Sequence, residues 1–286
     1  MSAEVINLSC YKFAPLDGLE ELRTRLQEVA KANELKGTIL LAPEGINFFL
    51  AGTCAQLAAI LDVIRAVPGL VSVAPKESPS SEQPFKRMLV KIKKEIIAFG
   101  VKGVDPARRP AAKISAKQLK QWLDEGRPFT LLDTRNDYEI RMGTFKGATV
   151  TQIRNFRDFP AAVEKLPSTL KAQPVVMFCT GGIRCEKAGP FMAMQGYADV
   201  RQLDGGILKY FEEVGGAHYD GECFVFDERV GVGPDLRETG SVVCFNCQMP
   251  LTVADQRHPD YVYEKTCLHC VGGKPMGRGN TAQRGA

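Results

Sequence analysis

Residues 174–187 read Pro-Val-Val-Met-Phe-Cys-Thr-Gly-Gly-Ile-Arg-Cys-Glu-Lys. Pro174 to Phe178 is an unbroken apolar run of strand length, and the pattern from Glu186 to Gln195 predicts a helix. A buried strand that hands a cysteine to a Gly-rich turn, with a helix behind it, aims backbone N–H groups and the positive end of the helix dipole at the sulfur. Arg184 adds a formal charge, so Cys179 is expected to be a stabilised thiolate rather than an inert core thiol. Gly181 and Gly182, between Thr180 and Ile183, free the backbone to wrap an anion, for which an apolar core has no use. Cys185 has two readings: a thiol that resolves an oxidised Cys179 as a disulfide, or a buried stand-in for serine.

Outward from this loop, strands and helices alternate. Strands are expected at 129–133, 148–151, 175–178 and 200–203, with helices near 137–141, 159–165, 186–195 and 207–214. That alternation implies an α/β fold whose mainly parallel sheet has helices on both faces, and ligands bind such sheets beyond the carboxyl ends of the strands. Asp133 and Arg135 end the first of these strands and so share the rim with Cys179. Arg135 either faces an anionic substrate or pairs with Glu139.

The first hundred residues follow a different plan. Their order is β-α-β-β-α-β, that of the ferredoxin-like split βαβ sandwich. Asp17 with Glu20 and Thr53 with Gln56 have the spacing of capping boxes, and strands are expected at 71–73 and 88–97. Lys86, Arg87, Lys91, Lys93 and Lys94 interleave with Met88, Val90 and Ile92. Such a strand gives a sheet face suited to phosphate backbone or single-stranded RNA, or else an edge strand guarded by lysines. A linker follows at 100–112, and Ser115, with Gln118 opposite it, starts the next helix, which Gly126 ends.

The chain has 286 residues, a net charge of +4 and nine cysteines. The length suggests two domains and an appendage, and the mild positive charge allows a nucleic-acid partner without requiring one. No apolar run is long enough for a membrane span and the start lacks a signal-peptide pattern, so the expected location is the cytoplasm, where disulfides are scarce. Cys10, Cys54 and Cys223 are scattered and read as small apolar residues. Cys244-x-x-Cys247 and Cys267-x-x-Cys270 stand 19 residues apart, a zinc-ribbon spacing whose four thiolates close a tetrahedral structural Zn2+ site. A redox dithiol pair, or His269 in place of one sulfur, are the alternatives. The tail 271–286 carries Lys274, Arg278 and Arg284 without an acid, and reads as a disordered segment able to touch RNA phosphates. No flavin, haem or nicotinamide motif is present, and an iron site would need two of His218, His258 and His269.

Three signatures carry a resemblance. Leu131-Leu-Asp-Thr-Arg135 with Tyr138-Glu139 and Gly143…Gly147-Ala148, the Cys179-x-x-Gly182-x-Arg184 loop, and Leu203-Asp-Gly-Gly206 together resemble the rhodanese family. Cys185 and Thr144 depart from its usual small hydroxyl residue and histidine. With Ala42-Pro-Glu-Gly-Ile-Asn47 and Phe224-Val-Phe-Asp-Glu-Arg-Val230, nearly all of residues 1–270 is similar to the rhodanese-domain tRNA uridine hydroxylases. The resemblance implies formation of 5-hydroxyuridine at the wobble position, molecular oxygen as co-substrate, the tRNA anticodon arm as partner and an electron donor of unknown identity. It makes Cys179 the catalytic residue, as a nucleophile at C6 of uracil or as carrier of a persulfide or peroxide, and Asp133 a brace for the loop. The alternative is a rhodanese-type sulfurtransferase carrying a Cys179 persulfide. The expected organisation is a ferredoxin-like domain at 1–100, a rhodanese domain at 113–217, a cysteine-rich zinc-binding extension at 218–270 and the tail.

Overall fold

The computed structural model describes residues 5–272, and the chain divides into two compact units, Met1–Ala98 and Phe99–Ala286. The tail expected at 271–286 therefore lies, from residue 273 onward, outside the described residues.

In the first unit the elements are β1 (Val5–Phe13), α1 (Leu19–Ala32), β2 (Lys36–Ala42), β3 (Gly45–Gly52), α2 (Cys54–Arg65), β4 (Lys76–Ser80) and β5 (Met88–Ile92). They form a sheet in the order β4-β1-β3-β2-β5, in which β5 runs parallel to β2 and the other pairs are antiparallel. Period-2 alternation puts Leu8, Ile39, Leu41, Phe48 and Leu50 on one face, where they meet Leu22 and Leu26 of α1 and Leu57, Ile60 and Ile64 of α2.

Local chemistry decides where these elements begin. The Thr53–Gln56 capping box forms as expected. The Asp17–Glu20 box does not, because Gly18 in the left-handed region (φ 59°) takes the N-cap position of α1. Residues 71–73 form a turn, and the strand comes later, as β4. β5 is shorter than expected: Lys93 N still donates to the Leu41 carbonyl, but Glu44 and Asn47 then capture the Ile96 backbone and draw it off the ladder. Lys91 alone lies on that strand, with Lys86 and Arg87 before it and Lys93 after it.

The second unit holds β6 (Ala112–Ile114), α3 (Ala116–Asp124), β7 (Thr130–Asp133), α4 (Asp137–Ile140), β8 (Gly143–Phe145), β9 (Thr149–Val150), α5 (Phe159–Val163), β10 (Pro174–Phe178), α6 (Ile183–Met194), β11 (Asp199–Leu203) and α7 (Gly206–Val214). Five strands pair in the order β6-β11-β10-β7-β9, all parallel, with β10 in the centre. Short antiparallel pairs follow: β12 (Tyr219–Gly221) with β8, β13 (Cys223–Phe224) with β14 (Gly231–Val232), and β15 (Val242–Val243) with β16 (Pro250–Leu251). Phe145 joins the sheet to its cover, meeting Phe178, Tyr210 and Tyr219 edge to face at 4.8–5.2 Å between ring centroids.

The linker's end becomes β6, paired with β11, and Phe99 already packs in the second unit, stacked 5.0 Å from Phe156. The cysteine-rich end packs on the second unit, since Cys244, Cys247, Cys267 and Cys270 share one apolar cluster with Tyr138, Met142 and Phe224.

Candidate functional site

Cys179 follows the last residue of β10, the central strand, and its side chain is fully buried. Helix α6 starts at Ile183, three residues earlier than the sequence pattern implied, because Gly182 (φ 103°) serves as its N-cap. Arg184 and Cys185 thereby enter the first helical turn, and Gly182 N–H donates to Cys179 Sγ at 3.1 Å. Burial opposes ionisation of Cys179. The Cys185 thiol, the Arg184 charge and the amides of Arg184 and Gly182 outweigh it and hold the Cys179 thiol well below its ordinary range. Burial and the neighbouring sulfur push Cys185 the other way, while Thr134 Oγ1 lies 3.6 Å from its sulfur. Both shifts favour the anion on Cys179 over Cys185.

The loop carbonyls are held from the opposite side. Ile207 N and Leu208 N, in the first turn of α7, donate to the carbonyls of Cys179 and Thr180 at 3.0 and 3.1 Å. Gly206 makes this approach possible: its φ is +67°, and a Cβ there would stand 2.4 Å from the Cys179 oxygen and 2.7 Å from that of Thr180. Carbonyls turned to α7 and an amide turned to the sulfur are two results of one backbone path.

Arg184 does not aim its guanidinium outward. It donates to both Glu139 oxygens, at 2.5 and 2.8 Å, and to Thr180 Oγ1 at 3.3 Å, and it lies 5.8 Å from the Phe226 ring centroid. Glu139 is fully buried, and burial alone would keep it protonated; Arg184 first, then Arg135 and the Asn136 amide, hold its carboxyl below the usual range. Thr180 Oγ1 also donates to Glu139, which makes this carboxylate the anchor of the loop.

Asp133 and Arg135 are placed differently from expectation. Arg135 is fully buried, so it neither faces a substrate nor pairs with Glu139; it forks onto Asp133 and donates to the Gly143 carbonyl at 2.6 Å. Asp133 accepts from Arg135 N and from Thr144 Oγ1, and so braces Arg135 rather than the Cys179 loop. The direct brace is Thr134, whose N–H and hydroxyl both donate to the Phe178 carbonyl. Glu139, Thr134, Gly206 and Phe226 were not legible as site residues. The first three sit inside the signatures quoted above, but the sequence offered Glu139 only Arg135 as a partner and the others none.

The four C-terminal cysteines converge. Their Sγ atoms lie within 4.8 Å of one another, with Cys244–Cys270, Cys247–Cys267 and Cys267–Cys270 at 3.9, 3.6 and 3.8 Å. A tetrahedral ion with metal–sulfur bonds of about 2.3 Å has sulfur–sulfur edges of about 3.8 Å, so the three close pairs match the edges of a single metal site. His269 contributes its backbone N–H, at 3.4 Å from Cys267 Sγ, and its ring is not part of the cluster. Cys10 and Cys223 are buried thiols pushed up, chiefly by burial, to about 11 and about 12, while Cys54 is exposed. In the first unit Lys86, Arg87 and Lys93 are exposed and Lys91 half-buried. Among the described residues no helix is long and apolar enough to cross a membrane.

Comparison with known proteins gives two family matches, UPF0176 acylphosphatase like domain over residues 5–96 and Rhodanese-like domain over residues 115–213. A protein of Cupriavidus necator named tRNA uridine(34) hydroxylase is 49% identical over 276 residues, covering 95% of this chain and 98% of its own. Proteins of the same name from Burkholderia vietnamiensis and Ralstonia nicotianae are 46% and 45% identical, each covering at least 93% of this chain and 97% of their own.

Proposed function

The chain belongs to the tRNA uridine(34) hydroxylases, and on that premise we propose that it performs its reaction at the Cys179 thiolate. It hydroxylates uridine 34 of tRNA, an oxidoreductase step in tRNA modification. The product is 5-hydroxyuridine, the oxidant is molecular oxygen, and a donor supplies two electrons. Uridine, O2, two electrons and two protons give 5-hydroxyuridine and water. The observation that carries this reading is the Gly182 N–H at 3.1 Å from Cys179 Sγ, at the start of helix α6.

The residues have distinct roles in the proposal. Cys179 adds to C6 of uracil, which makes C5 an enolate carbon able to take up oxygen. The donor's electrons cleave the O–O bond, leaving a hydroxyl at C5. Loss of the C5 proton then expels Cys179 from C6, and the amide and Cys185 that stabilise the thiolate make it a good leaving group. Glu139, through Arg184 and Thr180, fixes the loop, and Thr134 fixes Phe178. Zn2+ held by Cys244, Cys247, Cys267 and Cys270 takes no part in the chemistry and maintains the module built on it. Lys86, Arg87, Lys91 and Lys93 contact phosphates of the anticodon arm, and the enzyme works on tRNA in the cytoplasm.

The test is mass spectrometry of tRNA nucleosides from a strain lacking every route to 5-hydroxyuridine, complemented with wild type or Cys179→Ser. Wild type alone should restore 5-hydroxyuridine derivatives, and isotopically labelled dioxygen should place its label at C5. Restoration by Cys179→Ser would remove the chemistry from this sulfur. Label arriving from water would remove dioxygen.

A further inference from the structure

Hydroxylation by O2 consumes two electrons, and the site holds a second sulfur beside the one assigned to the substrate. Cys179 and Cys185 are both fully buried, and the Cys185 thiol donates a hydrogen bond to the Cys179 sulfur. Their approach follows from the backbone. Gly182, at φ 103°, turns the chain so that α6 begins at Ile183, and the first helical turn carries residue 185 back beside residue 179. Thr134 Oγ1 lies 3.6 Å from Cys185 Sγ, and that hydroxyl is itself fixed on the Phe178 carbonyl at 3.0 Å. A serine at 185 would also donate a hydrogen bond to a thiolate. What sulfur adds is the capacity to give up two electrons and to bond to a second sulfur.

We propose that Cys185 supplies the two electrons: it takes the outer oxygen of the C5 hydroperoxide, then joins Cys179 in a disulfide that an external thiol reopens. This role rests on the hydroxylation proposed above and provides its electron donor. Once O2 has added at C5 and a proton has completed the hydroperoxide, the Cys185 sulfur attacks the outer oxygen. The O–O bond breaks, the Cys185 proton passes to the oxygen left on C5, and Cys185 becomes a sulfenic acid. Loss of the C5 proton expels Cys179 from C6. The freed thiolate attacks the sulfenic sulfur, the S–S bond forms, and the departing hydroxide takes up a proton as water. Uridine, O2 and two thiols thus give 5-hydroxyuridine, water and one disulfide. Exchange with an external thiol restores both cysteines. Burial shields Cys185 from peroxide in solution, so the peroxide that reaches it is the one built on the carbon next to that held by Cys179.

The test reduces the full-length protein with dithiothreitol, removes the reductant without oxygen, and adds excess tRNA from the strain lacking every route to 5-hydroxyuridine in aerated buffer. Trypsin cuts after Arg184, between the two cysteines, so once free thiols are alkylated a bridge shows as two peptides joined until reduced. Wild type should form about one 5-hydroxyuridine per chain, gain the Cys179–Cys185 disulfide in step with it, and resume only when dithiothreitol returns. Cys185→Ser should keep the low titration of the Cys179 thiolate, because its hydroxyl still donates, yet give less than about a tenth of the wild-type product. Cys54→Ser, at an exposed thiol, should behave as wild type. Product without the disulfide, a disulfide that forms equally fast without tRNA, or wild-type turnover by Cys185→Ser overturns this role for Cys185. Should Cys185→Ser fail to fold, the ratio of product to disulfide in wild type decides. If reduced wild type makes no product although it restores 5-hydroxyuridine derivatives in the complemented strain, the role falls and the hydroxylation stands. If it restores none there, the hydroxylation fails first.

Discussion

Gly206→Ala isolates the device that orients the Cys179 loop. At φ +67° an added Cβ meets the carbonyl oxygens of Cys179 and Thr180 at 2.4 and 2.7 Å, and the shorter contact is about 0.6 Å inside the 3.0 Å that real Cβ atoms respect. Both neighbours are backbone, so relief requires α7 and the loop to part. That breaks the bonds from Ile207 N and Leu208 N and strands buried polar groups at about 1–3 kcal/mol each. Left-handed strain adds about 1 kcal/mol. The sum is about 3–7 kcal/mol. Gly126→Ala supplies the control, since Gly126 has φ +61° with nothing within 4 Å of the added carbon and should cost only the strain. Trp122, the single tryptophan, lies in α3 of the second unit, so its fluorescence in urea reports that unit. With a urea slope of about 2 kcal/mol per molar, Gly206→Ala should lower the midpoint by about 1.5–3.5 M and Gly126→Ala by about 0.5 M. The thiolate absorbance of Cys179 should also titrate at higher pH in Gly206→Ala alone, because a displaced loop withdraws the Gly182 amide. Equal midpoints for the two variants would refute the claim that this close approach holds the loop.

The same thiolate makes stability depend on pH. Its folded value is lowered from 9.0 to about 5, so its contribution is complete above about 9, declines as pH falls through that window and is gone below about 5. Wild type should therefore gain up to about 1.4 kcal/mol per pH unit relative to Cys179→Ala between those limits, as read from urea midpoints, and parallel pH profiles would contradict it. Cys185→Ala removes a hydrogen-bond donor to the thiolate and should raise the Cys179 value by about one unit or more, measured by the pH dependence of its ultraviolet absorbance; no shift would deny Cys185 that role. Elemental analysis should find one zinc ion per chain in wild type and much less in Cys267→Ser. The Cys267→Ser chain should also melt at lower temperature, because its sulfur shares a cluster with Tyr138 and Phe224; a metal-free wild type melting unchanged would sink the structural assignment.

What the sequence disclosed was whatever local chemistry dictates. The apolar run at Pro174–Phe178 is a strand because it is buried on both faces, and the Thr53–Gln56 box forms because both partners lie within one turn. The two Cys-x-x-Cys pairs converge because their spacing matches the geometry of a single ion. Asp17 failed as a cap because Gly18 reaches the left-handed region at no steric cost, a competition between neighbours that pattern matching does not weigh. Arg135 was misread for a different reason. Its place at the end of β7 is a sequence property, but its orientation depends on Asp133, on the Gly143 carbonyl and on a fully enclosed pocket, all consequences of packing.

Arg184 shows how far that difference reaches into function. Read from the chain, it is a cation placed beside a thiolate. In the fold its guanidinium is taken up bidentately by Glu139, and its charge still acts on the sulfur beside the Cys185 thiol and the loop amides. The anion is stabilised at short range by the neighbouring Cys185 thiol, by the Arg184 charge and by the amides of Arg184 and Gly182, the last at 3.1 Å. Fixed dipoles of this kind cost no reorganisation when charge moves onto or off the sulfur, and mobile ions screen them little. The site can thus stabilise a thiolate beside an uncharged uracil while Glu139 occupies the Arg184 guanidinium.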